Sequence, residues 1–172
     1  MHHSGATRVP WHGPAATGST ETAMTEKYES LQLLLVEDSP GDVRLTQEVF
    51  RGTNSAIELH VATDGLEAMA FLRHEGEHAA APRPHLILLD LNLPKLDGRE
   101  VLALIKKDRA LKTIPTVVLT TSTAEADILT SYQLQANCYL TKPAHLDDFE
   151  SLVAKINEFW LGRVKLPQRA SH

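Results

Sequence analysis

The most informative part of the sequence is LILLDLNLPKLDG, residues 86–98. It begins with four consecutive apolar residues, Leu86 to Leu89, and then meets an acid, Asp90. A short continuous apolar run is typical of a strand that is buried on both faces, as strands of parallel sheets are. A carboxylate at the end of such a strand suggests a chemical role for Asp90.

The same kind of apolar run recurs along the chain, and each run is followed by a segment with helical periodicity. The predicted strands are 31–36, 57–62, 85–90, 114–122 and 137–143, and the predicted helices are 42–51, 64–77, 99–108, 124–135 and 145–161. Strands that alternate with helices pair in parallel through right-handed crossovers. The pattern therefore predicts a doubly wound α/β fold of three layers, with five parallel strands and five helices.

Composition limits the function classes. The chain has 172 residues and a formal net charge of -5, and nothing in it resembles the basic patch of a nucleic-acid binder. It contains no apolar stretch of eighteen or more residues, so we expect no membrane span. The one cysteine, Cys138, excludes an intramolecular disulfide and fits a reducing cytoplasm.

The domain organisation follows from the same patterns. Residues 1–29 are rich in Gly, Pro, Ser and Thr and lack periodicity, which predicts a disordered leader. Met24 is an alternative natural start, and the sequence leaves open whether residues 1–23 are native. We expect one folded domain over residues 30–162 and a flexible tail over 163–172.

Polar side chains stand where the predicted strands end. In an open parallel sheet the ligand site lies at the carboxyl ends of the strands. Four of the five strand ends carry acids, hydroxyls, a lysine or a proline: Glu37, Asp38, Asp90, Thr120, Thr121, Lys142 and Pro143.

Three carboxylates at one sheet edge repel one another, by roughly 3 kcal/mol for each pair at ~5 Å and an effective dielectric of ~20. A hard divalent cation with oxygen ligands, such as Mg²⁺, would compensate this repulsion. A carboxylate beside such a cation is a nucleophile for a phosphoryl group, with Lys142 and Thr120 as partners of the phosphoryl oxygens. Each acid alone would be explained as a helix cap, but this is an unlikely account of the whole set.

Four stretches of the sequence carry a family resemblance: LLLVEDSPGD, LILLDLNLPKLDG, TVVLTTS and YLTKP. Together they resemble the receiver domain of two-component response regulators, over residues 31–160. The resemblance implies a flavodoxin-like fold with Asp90 as the phosphoacceptor. It also implies that Glu37 and Asp38 hold Mg²⁺ together with Asp90, with Asp38 as a direct ligand, and that Asn92 offers its backbone carbonyl to the metal.

The resemblance implies further roles at the last two strands. Thr120 is expected to be the switch hydroxyl, Tyr139 the switch aromatic and Lys142 the phosphate-pairing lysine. The bond before Pro143 is expected to be cis. Thr121 departs from the small residue that is frequent at its position, which would narrow access to the phosphorylated site.

No output domain follows the last helix in this sequence, so the resemblance is to single-domain regulators that act by protein contact. The chain is similar to regulators paired with bacterial phytochromes in three stretches, SPGDVRLTQEVF, NCYLTKP and INEFWL. This similarity implies a sensor histidine kinase of the phytochrome type as the partner. Phe159 and Trp160 are predicted to complete the buried stripe of the last helix. If they are exposed, that helix is a docking face and a homodimer is expected.

Individual motifs also fit other classes of protein. HEGEH, residues 74–78, fits a zinc-protease motif, but Gly76 breaks the helix that such a site needs. An aspartyl-phosphate phosphatase would need a general acid where Asn92 stands. The loop after the first strand carries two acids, which would repel the phosphate of FMN. A phosphorylation-independent scaffold is the remaining alternative.

Overall fold

The computed structural model describes residues 30–53 and 56–168. Five strands and five helices alternate along it: β1 (Leu31–Val36), α1 (Pro40–Arg51), β2 (Ile57–Ala62), α2 (Gly65–Arg73), β3 (Leu86–Leu89), α3 (Gly98–Lys107), β4 (Thr116–Thr120), α4 (Glu125–Gln133), β5 (Cys138–Thr141) and α5 (Leu146–Ile156). A short 3₁₀ helix, Gly76–His78, follows α2, and a π-helix, Asn157–Leu161, continues α5. The predicted leader and the last four residues of the predicted tail lie outside the described residues.

The strands form one parallel sheet in the order β2-β1-β3-β4-β5. This confirms the predicted doubly wound, flavodoxin-like fold. After β1 the chain adds β2 as the neighbour of β1 on one edge, and it then crosses over to add β3 as the neighbour of β1 on the opposite edge. The crevice between the carboxyl ends of β1 and β3 is therefore the switch point, where ligands bind in such folds.

Both faces of the sheet are covered, because side chains of a strand alternate between its two faces. On one face Leu34, Val36, Ile87 and Leu89 pack with residues from α2 and α3. On the other face the intervening residues of β1 and β3 pack with residues from α1 and α5. Four-residue runs such as 86–89 are thus fully buried, as the sequence predicted.

The start of α3 lies directly against the end of β3. A Cβ added at Gly98 would lie 2.1 Å from the carbonyl oxygen of Asp90, so only glycine fits there. The Gly98 N–H donates to the carbonyl of Leu91 at 2.9 Å. Asp97 and Glu100 form a reciprocal capping box that fixes the first turn of α3. The DG pair of the opening stretch therefore anchors the loop that follows Asp90.

The prediction that the second helix reaches residue 77 is wrong, since α2 ends at Arg73. His74 takes a left-handed conformation, with φ 58°, and the Glu75 N–H donates to the carbonyl of Ala70 at 2.9 Å. This is a helix-ending arrangement. His74 and His78 consequently do not share a helical face, which confirms that HEGEH is not a zinc-protease helix.

The end of the last helix is more exposed than its apolar pattern predicts. Phe149, Val153 and Ile156 are buried, but Phe159 is 57% exposed and Trp160 is half-buried. The chain changes from α to π geometry at Asn157, so the residues beyond it no longer follow the α-helical spacing of the buried stripe, although Trp160 still packs against the core. The prediction that Phe159 completes the core is therefore wrong. Among the described residues, no helix is long and apolar enough to cross a membrane.

Candidate functional site

The carboxyl ends of four strands meet at one edge of the sheet. Glu37 and Asp38 directly follow β1, and Asp90 directly follows β3. Thr120 is the last residue of β4, and Lys142 directly follows β5. The strands pair in parallel up to these ends. The structure therefore brings the acids, the hydroxyl and the lysine that the sequence singled out into one region.

Three carboxylates form the acidic cluster of this site. Oxygen atoms of Glu37, Asp38 and Asp90 all lie within 4.8 Å of one another. Glu37 and Asp90 are buried, at 3% and 7% exposed, whereas Asp38 is exposed. Like charges repel more strongly where solvent is excluded, so the two buried acids need a positive partner. Asp38 leaves the cluster open to solvent on one side.

Lys142 supplies that positive charge. Its side chain is buried, and its ammonium donates to three different carboxylates, those of Glu37, Asp42 and Asp90. The distances from Nζ to the carboxylate oxygens of Asp42 and Asp90 are both 3.0 Å. All three donors of the ammonium are used, which fixes its position beside Asp90.

Burial and mutual contact shift the pKa values of both Glu37 and Lys142. Burial raises the pKa of Glu37 to about 7, although hydrogen bonds from Lys142 and from the Ser39 N–H act in the opposite direction. Burial by itself would lower the pKa of Lys142, but the hydrogen bond and the charge of Glu37, together with the charge of Asp90, raise that pKa above its ordinary value. Lys142 is therefore cationic at neutral pH.

Asp42 is a site residue that sequence reasoning missed. It lies in the first turn of α1, where its backbone N–H donates to the side chain of the N-cap residue Ser39 at 3.4 Å. An acid in that turn has an ordinary explanation as a partner of the helix dipole. The only available signal was the spacing S-P-G-D after the acidic pair. The fold brings its carboxylate to Lys142, one hundred residues further along the chain.

Thr120 and Thr121 have different environments. Thr120 is fully buried, and its hydroxyl oxygen accepts a hydrogen bond of 3.5 Å from the Ser122 N–H. Thr121 is exposed and lines a cleft of about 300 Å³ beside the site, together with Lys142 and Pro143. A threonine at position 121 therefore lies at the approach to Lys142, where the sequence predicted that it would narrow access.

Tyr139 lies in β5, and its half-buried ring packs against the core. Its hydroxyl donates to the backbone carbonyl of Ser122 at 2.9 Å. Ser122 therefore has contacts with both predicted switch residues, Thr120 and Tyr139. Ser122 was not among the predicted site residues, although it closes the TVVLTTS stretch that contains Thr120 and Thr121.

Asn92 lies two residues after Asp90 and is exposed. Its backbone N–H donates to Oδ1 of Asp90 at 3.2 Å, so the loop curls around the carboxylate. The predicted role of the Asn92 carbonyl as a metal ligand stays a prediction. The amide side chain provides no general acid.

The prediction of a cis bond before Pro143 is wrong in this structure, because the described residues contain no cis peptide bond. An X–Pro bond favours trans by only about 0.5–1 kcal/mol, so a proline in the sequence leaves the isomer to its surroundings.

The sequence pattern of the response regulator receiver domain matches residues 33–155, which is more than half of the chain. The chain belongs to this family. It is 57% identical to the response regulator Rcp1 of Synechocystis sp. over 135 residues, which span 78% of this chain and 92% of that protein.

Two crystal structures of receivers resemble this fold closely. The Mn²⁺-bound form of Rcp1 has a TM-score of 0.78 and 56% identity, over 80% of this chain and 99% of that one. The phosphorylated cyanobacterial phytochrome response regulator RcpA has a TM-score of 0.79 and 54% identity, over 81% of this chain and 100% of that one. The chain is thus a receiver-domain response regulator that is homologous to phytochrome response regulators.

The acidic cluster of this receiver fits a divalent cation. Carboxylate oxygens are the ligands that hard divalent ions prefer, and three of them converge here within 4.8 Å. The exposed side at Asp38 leaves room for water ligands. A cation would also take over the charge compensation that Lys142 now gives to Glu37.

Proposed function

We propose that this receiver accepts a phosphoryl group on Asp90 from the phosphohistidine of a sensor histidine kinase and then signals by protein contact. The observation that carries the proposal is the environment of Asp90. Its Oδ2 lies 3.0 Å from the ammonium of Lys142, and two further carboxylates lie within 4.8 Å. An acid with only a structural role does not need a buried lysine and two like charges beside it.

In the proposed transfer, a carboxylate oxygen of Asp90 attacks the phosphorus of the phosphohistidine. A P–O bond forms, the P–N bond breaks, and the electron pair leaves with the imidazole of the kinase. Lys142 balances the negative charge that collects on the phosphoryl oxygens. The Asn92 N–H holds Oδ1 of Asp90, so that the carboxylate is oriented before the donor arrives.

We propose Mg²⁺ as the cation of the cluster, held by Glu37, Asp38, Asp90 and the backbone carbonyl of Asn92. Bound there, it would neutralise charge on the phosphoryl oxygens during transfer. The same protein groups would accept a phosphoryl group from a small donor and support hydrolysis of the aspartyl phosphate.

We propose Thr120 and Tyr139 as the switch residues. The hydroxyl of Thr120 would leave the Ser122 N–H and bond a phosphoryl oxygen, and Tyr139 would then settle further into the space behind it. Phosphorylation would in this way shift an equilibrium between two arrangements of the segment after β4. Lys142→Ala is expected to accept some phosphate but to leave Tyr139 in its resting environment.

The partner proposed for this receiver is a phytochrome-type histidine kinase, because RcpA is described as a phytochrome response regulator and is 54% identical. Since kinases use ATP, we place the transfer in the cytoplasm. We also propose a homodimer through the last helix, where Phe159 is 57% exposed and stacks edge-on against Trp160 at 5.8 Å.

Intact-mass spectrometry after incubation with acetyl phosphate tests the phosphoacceptor. The wild type is expected to gain one phosphoryl adduct that needs Mg²⁺, and Asp90→Asn is expected to gain none. Asp148→Asn, which removes an exposed acid in the first turn of α5, is the matched control and should label like the wild type.

The contrary outcomes point to the alternatives. Stoichiometric labelling of Asp90→Asn would refute the assignment of Asp90. No adduct on the wild type under any condition would favour a phosphorylation-independent scaffold. Sustained turnover of the donor with no adduct would favour a phosphatase.

A further inference from the structure

Arg99, in the first turn of α3, links the start of its own helix to α4. Its guanidinium lies 2.7 and 3.1 Å from Oδ1 of Asp127 in α4, and 3.1 Å from Oδ2 of Asp97, the N-cap residue of its own helix. The side chains of Arg99 and Asp127 are 29% and 24% exposed. Two guanidinium nitrogens of Arg99, Nε and Nη2, thus contact the same carboxylate oxygen. Such a contact between partly buried groups has a well-defined geometry, unlike most surface ion pairs.

The other oxygen of Asp127 holds the segment that carries the switch threonine. Oδ2 of Asp127 accepts a hydrogen bond of 2.6 Å from the hydroxyl of Ser122. The hydrogen bond from Ser122, and after it the one from Arg99, lowers the pKa of Asp127, so its carboxylate is ionised at neutral pH. Arg99, Asp127 and Ser122 thus form a continuous chain of contacts, which we call the α3–α4 clamp.

The clamp ends on both proposed switch residues through the backbone of Ser122. The Ser122 N–H donates to the hydroxyl of Thr120 at 3.5 Å, and the Ser122 carbonyl accepts from the hydroxyl of Tyr139 at 2.9 Å. A Thr120 hydroxyl that turns toward Asp90 while Ser122 stays in place gives up the first of these bonds.

We propose that the α3–α4 clamp is a positioning device that holds residues 120–122 in the resting arrangement and so sets how readily the receiver switches. The inference rests on the proposed function. The direction of the effect follows from the contacts, because the hydroxyl of Thr120 is directed to the Ser122 N–H in the clamped arrangement. An element that stabilises only the resting state must lower the apparent affinity for a phosphoryl group.

Breaking the clamp should therefore increase that affinity. Arg99→Gln and Asp127→Asn are each expected to lower the midpoint for beryllofluoride, a phosphoryl analogue, by about two- to fivefold in the presence of Mg²⁺. Ser122→Ala should act in the same direction, because it removes the hydrogen bond that the Ser122 hydroxyl donates to Asp127, together with the one that it accepts from the Ala124 N–H, and keeps both backbone bonds. The double variant Ser122→Ala/Asp127→Asn should lower the midpoint little further than either single variant does.

The measurement is a titration followed by the backbone amide resonances of residues 120–122 in ¹H–¹⁵N NMR spectra. In the unliganded clamp variants these resonances should move part of the way toward the positions of the beryllofluoride-saturated wild type. Arg44→Gln is the matched control, since it breaks an exposed ion pair with Glu48 within α1 and should shift neither the resonances nor the midpoint.

The outcomes separate the two levels of the argument. No binding of beryllofluoride by the wild type would overturn the proposed function and the clamp together. Binding by the wild type with unchanged midpoints in all three clamp variants would overturn the clamp alone. Weaker binding, with a lower melting temperature and unshifted amides, would also overturn it, because the contacts would then serve only folding.

Discussion

Replacing Lys142 with methionine tests how the acidic cluster is held together, since methionine keeps the buried stem and removes the charge. Each 3.0 Å contact from Nζ to Asp42 and Asp90 corresponds to about 5 kcal/mol of attraction at an effective dielectric of ~20. Desolvation of the charges offsets most of that sum. Removing one member of a buried ion pair costs about 3–5 kcal/mol, because the partner charge stays buried.

The structure places the expected loss at the lower end of that range. Burial already raises the pKa of Glu37, and the substitution removes the hydrogen bond and the charge of Lys142 that lower it, so Glu37 in the variant takes up a proton at neutral pH and relieves part of the repulsion. We therefore expect Lys142→Met to lose about 3 kcal/mol of unfolding free energy without divalent ions. Mg²⁺ should restore more stability to the variant than it adds to the wild type, because in the wild type the cation must compete with Lys142 for Glu37.

Urea unfolding with and without Mg²⁺ measures both effects. Lys106→Met is the matched control, since Lys106 is a partly buried lysine whose ammonium donates to two backbone carbonyls and to Asn137 rather than to carboxylates. It should lose stability without gaining dependence on the cation. A Lys142→Met protein as stable as the wild type in the absence of divalent ions would show that Lys142 does not compensate the charge of this cluster.

Three further predictions concern other parts of the molecule. Gly98→Ala should cost about 3 kcal/mol of unfolding free energy in a urea titration, because its Cβ would lie 2.1 Å from the Asp90 carbonyl oxygen. Gly41→Ala is the control and should be neutral in the same titration, because the nearest atom to its Cβ would lie 3.9 Å away. Asp64→Ala should lose about 1 kcal/mol at pH 7 by removing the N-cap of α2. The hydrogen bond from the Glu67 N–H lowers the pKa of Asp64 in the folded protein. The difference in unfolding free energy between wild type and Asp64→Ala should therefore persist at every pH above the ordinary pKa of aspartate and vanish as the pH falls through the lowered pKa of the folded state. A difference in stability that grows in acid would contradict this prediction. Phe159→Ser should shift the protein from dimer to monomer in light scattering, and a wild type that is monomeric at high concentration would refute the proposed interface.

Much of this receiver could be predicted from local patterns. Continuous apolar runs such as 86–89 predict buried parallel strands, and alternation with helices predicts the three layers. Once the strands are parallel, their carboxyl ends share one edge, and Glu37, Asp90 and Lys142 are placed near one another by topology alone. This reasoning succeeds because burial of a strand depends on residue types within a few positions, and strand direction depends on the helix that connects each strand to the next.

What the tertiary structure alone decided is how particular side chains meet across distant segments. The contact of Asp42 with Lys142 joins residues one hundred positions apart, and the contact of Arg99 with Asp127 joins α3 to α4. Asp42, Arg99 and Asp127 each have an ordinary local explanation as a charge near a helix terminus. Their distances depend on the packing of whole elements, and no local pattern records that packing. The same holds for Phe159, which the stripe of apolar residues predicts to be buried but which lies in the π-helix and is exposed.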